Sequence, residues 1–465
     1  MLFSSISFLF VFLPAVLLCY FVVPKRFRNG VLLFFSLLFY FYGEPKYTVL
    51  LLASSLSDYL HSLYIEAHRG EKSAKVALIS SLIVNLLMLG VFKYADFIIG
   101  TVNSLFGASI PLPGLELPIG ISFFTFQTMS YTIDVYRGRV KAERNIFTMA
   151  TYVSLFPQLV AGPIVRYETV AEELRSRSYS SAMAADGARR FVVGLAKKVL
   201  LANTLGGLST QLLGGSDLSL VGMWMGTLTF MMQVYFDFSG YSDMAIGLGK
   251  IFGFTFPENF DYPFMSKSIT EFWRRWHMTL GSWFRDYVYF PLGGSHVKHG
   301  RWIFNLVVVW ALTGLWHGAD WNFVLWGLFF AVLLPLEKLL YGKPLEKAPA
   351  AVQHIVTMLL ITISFAIFNA DAAIGYQNVI KGMFGFAGLP WMTVETAYYL
   401  KSYAVLLIVG VIGSTPLVKN TVLKLQSKLT RSMGVVEVVG CVVLLVLSTA
   451  YLVDGSFNPF LYFRF

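Results

Sequence analysis

Apolar runs long enough to cross a lipid bilayer recur along this chain from residue 2 to residue 452. A helix needs about 20 predominantly apolar residues to span the hydrocarbon core. Of the 465 residues, 56% are hydrophobic and 13% are charged, and no long polar stretch remains from which a separate soluble domain could be built. The sequence therefore excludes a soluble globular protein and predicts an all-α polytopic membrane protein.

The number of spans follows from the same length rule. Counted at about 20 residues each, the apolar runs give about eleven transmembrane helices and one or two re-entrant or interfacial pieces. No soluble-type repeat divides them. We predict one transmembrane domain over residues 1–465, with a re-entrant or interfacial amphipathic region at residues 253–302 inside it.

The basic residues indicate the orientation of the chain. The formal net charge is +10, but Lys and Arg concentrate in short loops between apolar runs, as at residues 24–30 and 68–75. This is the positive-inside pattern of membrane proteins and gives no reason to expect nucleic acid as a partner. No Lys or Arg precedes the apolar run at residues 2–23, and no small-residue cleavage site follows it. We expect this first helix to be retained, with the N-terminus outside the cytoplasm.

Several kinds of site are not indicated. The chain has no His-Glu-x-x-His motif, no Walker loop and no Gly-x-Ser-x-Gly motif, which argues against a zinc protease, an ATP-driven transporter or a serine hydrolase. Cys19 and Cys441 both lie in apolar runs, so we predict neither a disulfide framework nor a thiolate metal site. His296 and His299 have a metal-like spacing but no third ligand in view, and we interpret them as loop histidines.

The most informative polar residue is His317, which lies in the aromatic segment 312–323. An ionisable ring inside a membrane is costly, so such a residue is by default a candidate functional residue that lines a cavity. Gly314 and Gly318 stand four residues apart and allow another helix or a substrate to approach the backbone beside this ring. The alternative is a histidine that only hydrogen-bonds to a neighbouring helix.

Two other segments carry features that a plain lipid-facing helix does not tolerate. Pro157 and Pro163 bracket a short piece that should break its helix, and broken backbone within a membrane must face protein or a watery cavity. Asp237 and Asp243, together with the hydroxyls between them, are too many polar groups for a helix that faces lipid.

Residues 253–302 are rich in aromatic side chains and yet basic. Ser268 and Glu271 form a capping box, which predicts a helix that begins near Ser268. From there to Pro291 the periodicity predicts one continuous amphipathic helix, interfacial or re-entrant, with His277 on its aromatic side. The residues on that side are Trp273, Trp276, His277, Leu280, Phe284 and Tyr287.

The two histidines favour acid–base chemistry. A buried imidazole is uncharged at neutral pH and can accept a proton, so His317 is suited to act as general base on an attacking hydroxyl. His277, or the indole N–H of a nearby tryptophan, could hold a carbonyl oxygen or orient an acyl donor. A water-poor site also protects a reactive thioester from hydrolysis. Acyl transfer is one use of the pair; the other is a transporter or flippase in which the histidines relay protons along a pathway of broken helices.

These segments resemble the membrane-bound O-acyltransferase family, and within it the bacterial alginate O-acetyltransferase subfamily. The two matches that contain the histidines read Leu315-Trp316-His317-Gly318-Ala319-x-Trp321-x-Phe323 and Glu271-Phe272-Trp273-Arg274-Arg275-Trp276-His277-Met278-Thr279-Leu280. Further matches are residues 117–123, 133–138, 156–163 and 236–247, and the likeness continues to the tail at 458–460. One departure is Asn369, which stands where the family pattern leads us to expect arginine.

The resemblance implies a ring of tilted helices around a thin centre, with a funnel on the outer side. It implies that His317 is the essential histidine and that His277 is the second, supporting one. It also implies no bound cofactor and a cytoplasmic acyl donor, either acetyl-CoA or an acyl carrier protein thioester. The acetyl group would reach a polysaccharide directly or through an extracytoplasmic acetyltransferase, at a bacterial plasma membrane. Related systems carry D-alanine to teichoic acid, so the acyl group and the polymer both stay open.

Seven further residues are candidates for substrate contact: Trp316, Trp321, Arg274, Arg275, Trp276, Asn322 and Asp237. We expect Trp316 and Trp321 to line the cavity. The two arginines could meet the phosphates of the donor, or could anchor their helix at the cytoplasmic face. Asp237, like Asp243, is more typical of a helix-packing group than of an acid–base catalyst.

Overall fold

The computed structural model describes residues 1–160, 162–369, 373–428 and 430–455, without the side chains of residues 430–433. These described residues form helices and connecting segments and contain no β-strand. Ala161, in the matched segment 156–163, and the tail at 457–465 lie outside the described residues.

The α-helices up to residue 214 are α1 Leu13–Val22, α2 Arg28–Gly43, α3 Thr48–Ala67, α4 Lys72–Leu89, α5 Ala95–Phe106, α6 Ile121–Tyr136, α7 Ile146–Ser154, α8 Phe156–Leu159, α9 Tyr167–Arg175, α10 Ser181–Ala196 and α11 Asn203–Gly214. Those that follow are α12 Leu220–Ile251, α13 Ile269–Arg275, α14 Met278–Phe284, α15 His299–His317, α16 Trp321–Leu336, α17 Gly342–Glu346, α18 Ala350–Phe368, α19 Tyr376–Met383, α20 Val394–Ser402, α21 Ala404–Gly413, α22 Leu417–Lys428 and α23 Thr430–Asp454. Wider π-helical turns occupy Phe8–Phe12, Gly90–Tyr94, Lys197–Ala202, Arg285–Tyr289 and Glu337–Tyr341, and short 3-10 turns occupy Lys25–Phe27 and Pro263–Met265.

Several described helices are long and apolar enough to cross a membrane. By length and composition there are five in the described part of the chain: Lys72–Phe106, Ser181–Gly214, Trp321–Glu346, Ala350–Phe368 and Gly434–Asp454. A sixth is counted if α20 and α21, which meet at a bend of 57°, form one broken span. The prediction of an all-helical, multi-pass membrane protein is confirmed, whereas the count of about eleven spans is not.

The chain divides into two compact units. Unit 1 comprises Met1–Phe191 and Ser242–Pro257, and unit 2 comprises Val192–Tyr241 and Glu258–Phe465. In unit 1, α3 packs against α4 and α6. In unit 2, α15 and α16 form a closely packed hairpin, and α16 also packs against α13 and α18. The single domain over residues 1–465 stays a prediction.

A polar network in unit 1 ties three of its apolar helices together. Asp58 on α3 is fully buried, and its carboxylate accepts hydrogen bonds from Ser81 Oγ at 2.6 Å and from Asn85 Nδ2 at 2.8 Å, both on α4. Thr128 Oγ1 on α6 donates to Asn85 Oδ1 at 3.1 Å. A buried carboxylate with these donors satisfies the rule that polar groups among apolar helices need partners, so we assign the network to helix packing.

Local sequence signals were accurate where they concerned helix ends. Ser268 Oγ accepts from the backbone N–H of Glu271 at 3.0 Å, which confirms the predicted start of α13. The chain leaves the helix at Leu155, between α7 and α8, where a break was predicted near Pro157. Residues 166–186 are rich in charged side chains, which favours a loop, but they contain α9 and the beginning of α10.

Two predictions about helix continuity were wrong. The segment from Ser268 to Pro291 is not one helix, because the chain leaves the helical conformation at Trp276 and His277, between α13 and α14. The apolar run at residues 373–386 was one of those counted as a span from the sequence. It contains only α19, whose 8 residues are about 12 Å long and cannot cross a membrane.

Candidate active site

His317 is the last residue of α15 and is 4% exposed. Three aromatic rings lie roughly perpendicular to its imidazole. The ring centroids of Trp316, Trp326 and Phe368 are 5.1, 5.0 and 5.3 Å from that of His317. The imidazole therefore lies in an aromatic cage supplied by α15, α16 and the end of α18. Of these three rings, only that of Trp316 belongs to a residue that was predicted to line the cavity.

Gly314 and Gly327 bring α15 and α16 into backbone contact beside this cage, and Gly318 makes room for the Phe323 ring. A methyl group on Gly314 would lie 2.3 Å from the carbonyl oxygen of Phe323, and one on Gly318 would lie 2.1 Å from the Phe323 ring. On the facing helix, a methyl group on Gly327 would lie 2.3 Å from the carbonyl oxygen of Trp310. The prediction that Gly314 and Gly318 permit close approach is confirmed, and the partner is α16.

Asn322 contacts the end of α18, the helix that supplies the Phe368 ring of the cage. Its side chain is buried, and its Nδ2 donates to the carbonyl oxygens of Phe368 at 3.2 Å and Ile367 at 3.4 Å, which end α18. Asp320 precedes it and caps α16 by accepting from the Asn322 backbone N–H at 3.4 Å. These bonds hold the end of α18, which carries the Phe368 ring, beside the start of α16.

His277 lies at the junction of α13 and α14 with a backbone φ of +45°. This left-handed conformation is strained for a residue with a side chain and persists only where surrounding contacts impose it. The ring is 1% exposed and packs edge-on against Phe238, with centroids 4.6 Å apart. Burial lowers the pKa of this junction histidine well below 6.5, and the nearby His317 lowers it further, so the ring is neutral at neutral pH.

Asn259 makes the contacts that hold His277. Its Oδ1 lies 3.1 Å from His277 Nδ1 and accepts from the Thr279 hydroxyl at 2.8 Å and the Thr279 N–H at 3.3 Å. Its backbone carbonyl accepts from the Met278 N–H at 3.0 Å, and the Asp261 N–H donates to the Arg275 carbonyl at 2.9 Å. The segment before α13 thus pairs with the α13–α14 junction and takes the place of ordinary helical hydrogen bonds there.

The start of α13 is fixed by a carboxylate from the end of α16. Glu337 is buried, and its two oxygens accept from the Ile269 N–H at 2.6 Å and the Thr270 N–H at 3.0 Å. The Thr270 hydroxyl also donates to it at 2.5 Å. A helix N-terminus presents unpaired N–H groups and positive partial charge, which a carboxylate satisfies. Glu337 therefore links the short helix that leads to His277 with the helix that packs against His317.

Trp316 bridges the two histidines, with ring centroids 5.8 Å from His277 and 5.1 Å from His317. Around this bridge, the described residues supply no hydrogen-bond partner to three buried atoms: His277 Nε2, Trp326 Nε1 and Asn322 Oδ1. Buried polar atoms without partners are costly and rare in native proteins. An indole N–H, an amide oxygen and an imidazole nitrogen are therefore available in this region to hydrogen-bond to a polar substrate.

The other predicted site residues fall into two groups. Trp276 is buried against Phe365, with ring centroids 5.5 Å apart, and belongs to the apolar core of unit 2. Asp237 forms a buried ion pair with Lys198 at 2.7 Å, a contact that supports its interpretation as a helix-packing group.

Three of the predicted substrate-contact residues lie nearer the protein surface. Arg275 pairs with Glu271 at 3.0 Å and Asp261 at 3.2 Å, Arg274 is exposed, and Trp321 is 53% exposed. Contact of these side chains with a donor or an acceptor stays a prediction.

Four residues of this arrangement were missed at the sequence level: Asn259, Trp326, Glu337 and Phe368. Trp326 could have been found, because it follows Asn322 by four residues and so shares its helix face. Asn259, Glu337 and Phe368 act across 18, 68 and 46 residues of sequence respectively, and no local periodicity connects them to their partners.

Comparison with known proteins identifies the family. The model of "MBOAT, membrane-bound O-acyltransferase family" matches residues 139–370. The "probable alginate O-acetylase AlgI" of Azotobacter vinelandii is 35% identical over 501 residues, covering 100% of both chains. The protein of the same name from Pseudomonas aeruginosa is 39% identical over 83% of this chain and 75% of its own. The "peptidoglycan O-acetyltransferase" of Helicobacter pylori is 34% identical over 84% of this chain and 81% of its own.

These matches agree with the resemblance first noted in residues 271–280 and 315–323, the segments that carry His277 and His317. A relative that aligns over the whole chain at 35% identity leaves no part of it unaccounted for. The chain therefore belongs to the membrane-bound O-acyltransferase family, in its alginate O-acetylase-like group, and is an O-acyltransferase.

Proposed function

We propose that this O-acyltransferase moves an acetyl group from a cytoplasmic thioester to O-acetylate an extracytoplasmic, alginate-like polysaccharide. The observation that carries the proposal is the buried pair of imidazoles bridged by Trp316, beside an unpartnered indole N–H and an unpartnered ring nitrogen. The relatives named for alginate and peptidoglycan O-acetylation support acetate as the acyl group and a polysaccharide as its destination.

The reaction assigned to this site is acyl transfer to a hydroxyl. His317 accepts the proton of the hydroxyl as its oxygen attacks the thioester carbonyl carbon. The C–S bond then breaks, an ester forms, and the proton passes from the imidazole to the departing thiolate, so that a free thiol is released. Trp326, whose ring centroid lies 5.0 Å from that of His317, is the candidate donor to the carbonyl oxygen. His277, whose ring also contacts that of Trp316, supports the reaction.

Burial of the pair suits this chemistry. Both rings are at least 96% buried among aromatic side chains, which keeps water from the thioester. The acyl donor in this proposal is acetyl-CoA or an acyl carrier protein thioester, and no cofactor is bound. The acceptor hydroxyl belongs to the polymer itself or to an extracytoplasmic acetyltransferase that completes the modification. In this proposal the protein lies in a bacterial plasma membrane, with its N-terminus outside the cytoplasm.

The test is substitution of His317 in purified protein reconstituted in lipid vesicles. With an acetyl thioester supplied on one side and polysaccharide on the other, His317→Gln should reduce ester formation by about 10²–10⁴-fold, because a general base contributes that factor. Mass spectrometry of the polymer measures the ester. His68→Gln is the matched control, since the His68 ring stacks on Tyr64 in unit 1 and should be dispensable. Normal acetylation by a folded His317→Gln protein would refute the proposal.

The same vesicles distinguish the two alternative functions. A transporter or flippase with a histidine proton relay would move substrate in vesicles that contain no acyl donor, and His317→Gln would block that movement. A D-alanyl transferase would use a D-alanyl thioester in preference to an acetyl thioester. We expect acetyl transfer and no substrate movement without the donor.

A further inference from the structure

We propose that Asn259 is a positioning residue that holds His277 in the tautomer with its proton on Nδ1, so that the atom offered to the reactants is the lone pair of Nε2. The contact is the 3.1 Å hydrogen bond between His277 Nδ1 and Asn259 Oδ1. The tautomer follows from this structure alone, whereas the use of Nε2 in acyl transfer rests on the proposed function.

The identity of the asparagine atom decides which nitrogen carries the proton. The atom that faces His277 also faces the Thr279 backbone N–H at 3.3 Å, and a backbone N–H can only donate. It must therefore be the amide oxygen, which can only accept. Since Oδ1 has no proton to give, the hydrogen in the bond to His277 belongs to Nδ1. A neutral imidazole carries a single N–H, so Nε2 is then an acceptor.

The surrounding backbone prevents the ring from turning away from this partner. Asn259 is fully buried, and its own carbonyl accepts from the Met278 N–H at 3.0 Å, next to His277. The left-handed φ of His277 is imposed at the same point. On the far side of the ring, Nε2 is buried and has no hydrogen-bond partner in the described part of the chain.

This tautomer determines which group His277 can bind. An Nε2 lone pair accepts a hydrogen bond from an O–H or N–H group, and it cannot stabilise a carbonyl oxygen on which negative charge develops. The group that fits it is the attacking hydroxyl. The sequence offered two candidate donors to the carbonyl oxygen, His277 and a tryptophan indole. This tautomer excludes His277, so the donor must be an indole such as that of Trp326.

The experiment reads the tautomer directly by nitrogen NMR of protein labelled with ¹⁵N-histidine, because protonated and unprotonated ring nitrogens resonate far apart. The His277 signals are assigned by their loss in His277→Gln. Three variants are compared: Asn259→Leu removes the acceptor, Asn259→Asp keeps an acceptor oxygen, and Thr279→Val removes the hydroxyl bond to Oδ1 without touching the histidine bond. Acetyl transfer is measured on the same preparations.

We expect a proton on Nδ1 of His277 in the wild-type protein, in Asn259→Asp and in Thr279→Val. In Asn259→Leu the Nε2-protonated form should appear and kcat should fall by about tenfold, because one neutral hydrogen bond biases an equilibrium by about that factor. KM for the thioester should be unchanged in that variant. Rescue of the tautomer by Asn259→Asp distinguishes positioning from general support of the fold.

Two results would overturn the inference. One is a proton on Nε2 of His277 in the wild-type protein, and the other is a folded Asn259→Leu protein in which His277 keeps its Nδ1 proton. The proposed function fails separately: if the tautomers behave as expected but His277→Gln acetylates at the wild-type rate, Asn259 still sets the tautomer and His277 has no part in the transfer.

Discussion

Substitution of Gly314 by alanine tests whether the distance between α15 and α16 controls the position of His317. The new methyl group would lie 2.3 Å from the Phe323 carbonyl oxygen, 3.1 Å from its carbonyl carbon and 3.4 Å from Gly327 Cα. All three are backbone atoms, so no side-chain rotation relieves the contact. Because ordinary contacts of this kind begin at 3.4 Å, the two helices must separate locally by about 1 Å.

The expected cost follows from where that separation occurs. His317 lies three residues after Gly314, at the end of the same helix, and its cage includes Trp326 from the helix that is pushed away. A displacement of about 1 Å at a reacting group can cost about 10²-fold in rate. Overpacking of a closely packed interface costs about 1–3 kcal/mol of stability. Gly314→Ala should therefore reduce kcat by about 10²-fold and lower the thermal unfolding temperature.

The matched control is Gly300→Ala, on the same helix, where the added methyl group meets nothing within 4 Å. It should keep both the wild-type rate and the wild-type stability, since alanine also favours the helix. Acetyl transfer is measured per quantity of folded, monodisperse protein in detergent, with unfolding followed by intrinsic tryptophan fluorescence. Gly314→Ala with the activity and stability of Gly300→Ala would refute the reasoning.

Two further predictions concern residues that the sequence did not single out. Trp326→Phe keeps an aromatic ring beside His317 but removes the indole N–H, and it should reduce kcat by about 10²–10³-fold with little change in KM. The control is Trp273→Phe, which removes another buried, unpartnered indole N–H from a ring that packs against Trp310 and Phe330 and should retain activity. Equal losses in steady-state assays of the two variants would contradict the assignment. Glu337→Ala leaves the Ile269 and Thr270 N–H groups without their acceptor and should lower the free energy of unfolding by about 1–3 kcal/mol. Glu337→Gln should recover part of that stability because one acceptor oxygen remains. A thermal melt of Glu337→Ala that coincides with that of the wild-type protein would show that the carboxylate does not hold α13.

The π-helical turns and bends lie inside apolar segments in which hydropathy alone shows no interruption. The apolar segment that contains Lys93 continues from α4 through a π-helical turn into α5, and the segment near residue 403 bends by 57° between α20 and α21. Counting apolar residues measures how much of the chain avoids water. It does not measure where a helix is interrupted, because a wider turn or a bend leaves the composition unchanged.

The sequence by itself determined the features that depend on near neighbours. The membrane class follows from composition, the start of α13 from Ser268 and Glu271 three residues apart, and the close contact of two helices from Gly314 and Gly318. Composition needs no particular arrangement of residues, and the other two signals act within about one helical turn, so the chain itself carries all three.

Only the tertiary structure decided where His277 lies and which of its nitrogens is free. Periodicity favoured an unbroken helix through it, but the backbone of Asn259 and Asp261 pairs with Arg275 and Met278 and removes this stretch from the helix. The same pairing brings Asn259 Oδ1 to the ring. A hydrogen bond to a partner 18 residues away can replace a local helical bond at little net cost in free energy. Which of the two bonds forms depends on the packing of the whole unit, and the periodicity of the sequence does not show that packing.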